Sequence, residues 1–97
     1  MWHVRDHYPF KEAMEHLRAT DDPRVAEITT FHRRLVEEGP ELPESRPMPV
    51  PMGALVLDGW HYILEDGRAF IQSVLVPDGV AGADPGIVVV SLLDLDY

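Results

Sequence analysis

Two Asp-Gly pairs, Asp58-Gly59 and Asp66-Gly67, interrupt apolar runs and constrain this chain's fold more than any other feature. Asp and Gly tolerate the positive φ values of a two-residue type I′ turn. An Asp-Gly pair between apolar segments therefore predicts a tight hairpin. The strands that follow are Ala54–Leu57, Trp60–Glu65 and Arg68–Val76, the third ended by Pro77-Asp78-Gly79. A small-residue loop through Gly82 and Asp84-Pro85-Gly86 leads to Ile87–Leu93, whose unbroken apolar character fits an interior strand covered on both sides. Along Arg68–Val76, Ile71, Ser73 and Leu75 share one face, and Phe70, Gln72, Val74 and Val76 the other.

The residues before this sheet read as its cover. Trp2–His7 has room for a short strand, with Trp2, Val4 and Asp6 on one face. Pro9 suits a first helical turn, where its missing N–H is not needed, and Phe10, Met14 and Leu17 form one helical stripe. A second helix opens with Asp22 as cap and Pro23 in its first turn. Val25, Ile28, Phe31, His32, Leu35 and Val36 make its apolar face; Gly39 and Pro40 stop it. A helix hairpin of this kind cannot bury its two stripes alone and needs the sheet. Two helices cover only one face, so the other predicts exposed apolar area for a protein partner or a second copy of the chain.

Residues 39–52 carry five prolines, which make the segment extended and stiff. It reads as a connector; Arg46–Pro51 also has the composition of a ligand for a proline-binding groove. The expected fold is one α+β domain over residues 1–97, a helix hairpin packed on one face of a mainly antiparallel sheet of four to five strands. Its parts are a short strand and helix hairpin (1–38), the connector (39–52) and the sheet (53–97).

Charge narrows the function. The chain carries 17 acidic against 8 basic side chains, a formal net charge of −9. Residues 1–46 hold ten acids and seven bases; residues 47–97 hold seven acids and one base, Arg68. Such a field opposes binding of naked nucleic acid, which relies on clustered Lys and Arg. With no cysteine there are no disulfides and no Cys-ligated metal. No apolar run reaches the roughly 18 residues of a membrane span, and no signal-type apolar region opens the chain. The expectation is a soluble, cytoplasmic protein that avoids membranes.

The chemistry-bearing residues are sparse. His3 and His7 share a strand face but stand about 13 Å apart, too far for one ion. His32 lies on an apolar helix face, where it reads as a satisfied, half-buried histidine. Trp60 and Tyr62 alternate as packing residues, and His61 between them points the other way. Asp94 and Asp96 form a carboxylate pair with no base or pocket implied, so a solvated strand end is favoured. No nucleophile triad, phosphate loop or dinucleotide fingerprint is present. No metal and no cofactor is expected.

The order strand, helix hairpin, antiparallel strands resembles that of the RelE/HigB-like toxins of toxin–antitoxin pairs. Local features are similar as well: Met1-Trp2-His3-Val4 before a helix opening at Phe10, the exit Leu35–Gly39 followed by Pro40-Glu41-Leu42, and the paired segments Trp60–Glu65, Gly67–Phe70 and Val74–Asp78. The resemblance implies a ribosome-dependent mRNA endonuclease in which a ribose 2′-OH attacks in line. That reaction needs a base, an acid and cationic groups for the developing charge. It points to Arg68 for phosphate and to His61 and Tyr97 for proton transfer. This sequence departs from the family where an arginine is expected on the third strand, at Ile71.

Two readings follow. One is a toxin–antitoxin or phage-type effector with altered or lost catalysis, its partner an antitoxin, the ribosome or another host protein. The other is a non-catalytic acidic binding module, an inhibitor or adaptor whose acidic sheet face imitates nucleic-acid phosphates. The sequence leaves enzyme and binder both open.

Overall fold

The computed structural model describes residues 1–77 and 86–94. The elements run β1 (Val4–Asp6), α1 (Tyr8–Ala19), α2 (Arg24–Glu38), β2 (Ser45–Pro47), β3 (Val50–Met52), β4 (Leu55–Leu57), β5 (Gly59–Ile63), β6 (Ala69–Val76) and β7 (Gly86–Asp94). Five strands form one sheet in the order β1-β7-β6-β5-β2, and β3-β4 is a separate two-stranded ribbon. All neighbours in the main sheet are antiparallel except β1 and β7, which run parallel. The expected α+β arrangement, with helices on one face of a mainly antiparallel sheet, is present.

Both helices form for the reasons their sequences give. Phe10, Met14 and Leu17 of α1 and Ile28, Phe31 and Leu35 of α2 are buried. They close over Leu64, Ala69, Ile71, Ile87 and Val89 of the sheet to make the core. The Asp22 carboxylate accepts the Arg24 N–H at 2.9 Å and also binds the Arg24 guanidinium. At the other end Gly39 takes φ +89 and donates its N–H to the Leu35 carbonyl. A side chain at that position would strike the Trp2 ring, 2.6 Å from an added Cβ.

The first expected hairpin is not where the Asp-Gly signal placed it. β4 pairs with β3 through a turn containing Gly53, at φ +61, and not with β5. Asp58 joins β4 to β5 while its carbonyl accepts the Leu75 N–H, and Gly59 is the first residue of β5. Gly59 serves close packing: an added Cβ would lie 2.5 Å from the Met48 carbonyl oxygen. Asp66-Gly67 does connect β5 and β6, but in a loop of five residues, 64–68. Leu64 and Ala69 close it by a hydrogen bond, Gly67 has φ +73, and the Asp66 carboxylate accepts the Arg68 N–H.

The proline-rich connector is woven into the fold. Its residues Ser45–Pro47 pair with β5 as an edge strand, where Pro47 is tolerated, and Val50–Met52 form β3. The backbone of Arg46–Pro51 is thereby engaged rather than offered as a free ligand. The expected loop at 78–85 lies outside the described residues.

The faces of β6 divide as its alternation predicts. Ile71 and Ser73 are buried beneath the helices and Leu75 packs against the core. On the far face Val74 and Val76 are also buried, because the ribbon lies against β6 through β4, whose Leu57 is buried too. The apolar area expected there is left at Ile63 and Leu93, each 43% exposed, and on the ribbon at Met52, Leu55 and Val56. In β7 the pairing jumps from Ser91 opposite Gln72 to Val89 opposite Ser73, which leaves Val90 as an extra residue, a β-bulge.

Candidate functional site

Strand register assembles a polar row on the sheet face away from the helices. Arg46 of β2 lies opposite His61 of β5, His61 opposite Gln72 of β6, and Gln72 opposite Ser91 of β7. Directly opposed residues share a face, so the four side chains stand side by side over about 14 Å. Arg46 is exposed and the other three half-buried. Next to this row runs an apolar one, Ile63–Phe70–Leu93.

His61 is the centre of this arrangement. Its ring meets the edge of Phe70, with centroids 5.9 Å apart at 72°. Its Nδ1 is buried and has no hydrogen-bond partner among the described residues. Met48, His61, Ile63 and Phe70 enclose an apolar hollow of about 190 Å³ beside the ring. A histidine beside a cation is chemically suited to proton transfer near a phosphate.

The face is less acidic than the composition of residues 47–97 implies. Asp58, Glu65 and Asp66 all lie in connections between strands. No residue of strands 4–6, 45–47, 59–63, 69–76 or 86–93 that faces away from the helices is a carboxylate. Val4 packs on the core and Asp6 bonds His32, so strand alternation turns Arg5 toward this same face at the opposite edge.

Of the three residues singled out from sequence, the structure keeps one at this site. His61 points away from the helices, as expected. Arg68 is exposed in the β5–β6 loop, four residues and about 13 Å along the strand from Gln72, and does not join the row. Tyr97 and Asp96 lie outside the described residues. Arg46, which does join the row, was hidden among prolines, where strand pairing leaves no periodic signal. Ile71, the expected arginine position, is 0% exposed under the helices and is no place for a cation.

Two further features occupy the helix side. A groove of about 390 Å³ runs between α1 and α2, with Asp6 and His32 in its floor and Lys11, Arg18 and Arg33 along its rims. His32 Nε2 lies 2.8 Å from Asp6 Oδ1, which satisfies the half-buried histidine. The second is a structural tie. Glu27 accepts hydrogen bonds from the Tyr62 hydroxyl and the Glu65 N–H, both at 2.9 Å, while Phe31 stacks on Tyr62 at 4.4 Å. Burial, and then the Glu27 carboxylate, push the Tyr62 hydroxyl up to about 12.

Among the described residues no cluster of three or more His, Asp or Glu is arranged to hold a metal ion, and no helix is long and apolar enough to cross a membrane. No family model, no curated protein and no solved structure matches this chain.

Proposed function

We propose that this protein is a RelE/HigB-like effector that acts on RNA through the sheet face its helices leave uncovered. The observation that carries the proposal is the row Arg46–His61–Gln72–Ser91. The order of elements also supports it, since a strand, a helix hairpin and a run of antiparallel strands are what the resemblance implies.

In this reading Arg46 holds the scissile phosphate and His61 takes the proton of the adjacent ribose 2′-OH. The 2′-oxygen bonds to phosphorus and the 5′-oxygen leaves, giving a cyclic phosphate and a free 5′-hydroxyl. In this reading the proton for the leaving oxygen falls to Tyr97, the other residue that the resemblance points to for proton transfer. Gln72 and Ser91 offer neutral hydrogen bonds to the sugar or the base. A net charge of −9 argues against tight binding of free RNA. Delivery of mRNA by a ribosome removes that requirement.

The test is inducible expression with growth and mRNA integrity followed together. Cleaved mRNA that is lost in Arg46→Ala and His61→Ala but kept in Arg68→Ala supports the assignment. Intact mRNA with normal growth overturns it. A second reading, a non-catalytic protein-binding module, draws on the exposed Ile63, Leu93, Leu55 and Val56. Growth arrest with intact mRNA, unaffected by Arg46→Ala and His61→Ala, favours that reading.

A further inference from the structure

Cations are scarce in this chain, and those of α2 differ sharply in what they face. Arg34 lies 3.0 Å from Glu38 and 2.8 Å from Glu44, and Arg24 lies 3.0 Å from Asp22. Lys11, Arg18 and Arg33 are exposed, and none is in an ion pair with another described residue. All three border the groove between α1 and α2. Lys11 and Arg18 are seven residues apart, two turns along one face of α1, and Arg33 stands on the flank of α2 across from them. Among the described residues the groove lining holds three cations, Lys11, Arg18 and Arg33, against two carboxylates, Glu15 on the rim and Asp6 in the floor, a balance of one positive charge. Asp6 in the floor is already engaged by His32. A chain of net charge −9 therefore keeps a positive groove.

We propose that this groove receives an acidic peptide segment of a partner protein. Carboxylates on the segment meet Arg18 and Arg33 from either side, and an apolar side chain rests over Met14 and Ile28 in the floor. A peptide fits better than a nucleic acid for two reasons. The overall negative field opposes a long polyanion, whereas a few carboxylates are neutralised within the groove. The floor asks for an apolar group between the charges, which a phosphate backbone does not present. This surface lies on the helix side, so the proposal is independent of the sheet-face site.

The experiment is titration of the full chain, labelled with ¹⁵N, with a ten-residue Glu/Asp peptide carrying a central leucine. Amide shifts confined to residues around Lys11, Arg18, Thr29 and Arg33 are expected, with binding that weakens as salt is raised. The double variant Arg18→Gln/Arg33→Gln should weaken binding on the order of tenfold, because two exposed charge pairs are lost. Arg34→Gln, whose guanidinium is already taken up by Glu38 and Glu44, should leave it unchanged. Because all three side chains lie outside the core, the variants are expected to fold, which their circular dichroism checks. The proposal is overturned by shifts on another surface, by equal affinity in the double variant, or by equal binding of a peptide with Gln for Glu and Asn for Asp. Absence of binding at millimolar peptide overturns it too. So does preferential binding of single-stranded RNA or anionic vesicles in this groove.

Discussion

His32 Nε2 lies 2.8 Å from the Asp6 carboxylate and joins the middle of α2 to the end of β1. Side chains 32% and 29% exposed keep such a bond modest, since water competes for both partners. His32→Ala is expected to cost about 1 kcal/mol of stability, and the double-mutant cycle with Asp6→Ala to return a coupling of about 0.5–1 kcal/mol. Urea unfolding measures both. A coupling of zero would mean that the two side chains are held by their own helix and strand and not by each other.

Gly59 and Gly53 make opposite predictions from the same substitution. An alanine Cβ at Gly59 would sit 2.5 Å from one backbone oxygen and 3.2 Å from another, the carbonyls of Met48 and Ser73. Backbone cannot step aside as a side-chain end can, so Gly59→Ala should destabilise by about 2–3 kcal/mol. At Gly53 an added Cβ meets nothing within 4 Å, but φ is +61. Gly53→Ala therefore carries only the conformational cost, about 1 kcal/mol. Thermal unfolding of the two variants tests the ranking.

Tyr62 should govern alkaline stability. Its folded pKa of about 12 lies above its ordinary value of 10.0, so the folded state prefers the neutral hydroxyl. The associated stability is complete below about pH 10 and is lost as pH rises through 12. Absorbance of tyrosinate near 295 nm should show one tyrosine titrating near 12. Tyr62→Phe should remove that step and flatten the loss of stability between pH 10 and 12, while sacrificing the bond to Glu27 at neutral pH.

Much of the fold was legible because it is written in short-range signals. The stripes of α1 and α2, the cap at Asp22, the stop at Gly39 and the two faces of β6 need only neighbouring residues. Asp58-Gly59 misled because two-residue turn propensity cannot see a third strand. Met48 and Val50 come from the connector to occupy the space beside Gly59, and that long-range approach decides what the glycine is for. The candidate site was legible at His61, whose orientation follows from alternation. Arg46 was not, because its place beside His61 is set by strand pairing.

The position where the family resemblance implies a cation gives a further prediction. Ile71 is 0% exposed in the core, so Ile71→Arg would bury an unpaired charge and should cost about 3 kcal/mol or more, enough to unfold a small domain. Gln72→Arg, one residue on, places the charge in the row with His61 and should leave the fold intact. Circular dichroism separates the two outcomes.

Val90 turns the candidate site into a matter of counting. Up to Val89, β7 keeps strict even–odd order, and by that order Ser91 would fall inside and Leu92 outside. The one surplus residue resets the parity: Ser91 stands opposite Gln72 and Leu92 opposite Ile71. Drawing Val90 into the ladder as an ordinary pair would invert everything after it, driving a hydroxyl into the core and a leucine into the polar row, whereas deleting it would leave Val89 inside, Ser91 outside and Leu92 inside by plain alternation. The chemistry of this face therefore depends on one valine being left out of the strand pairing.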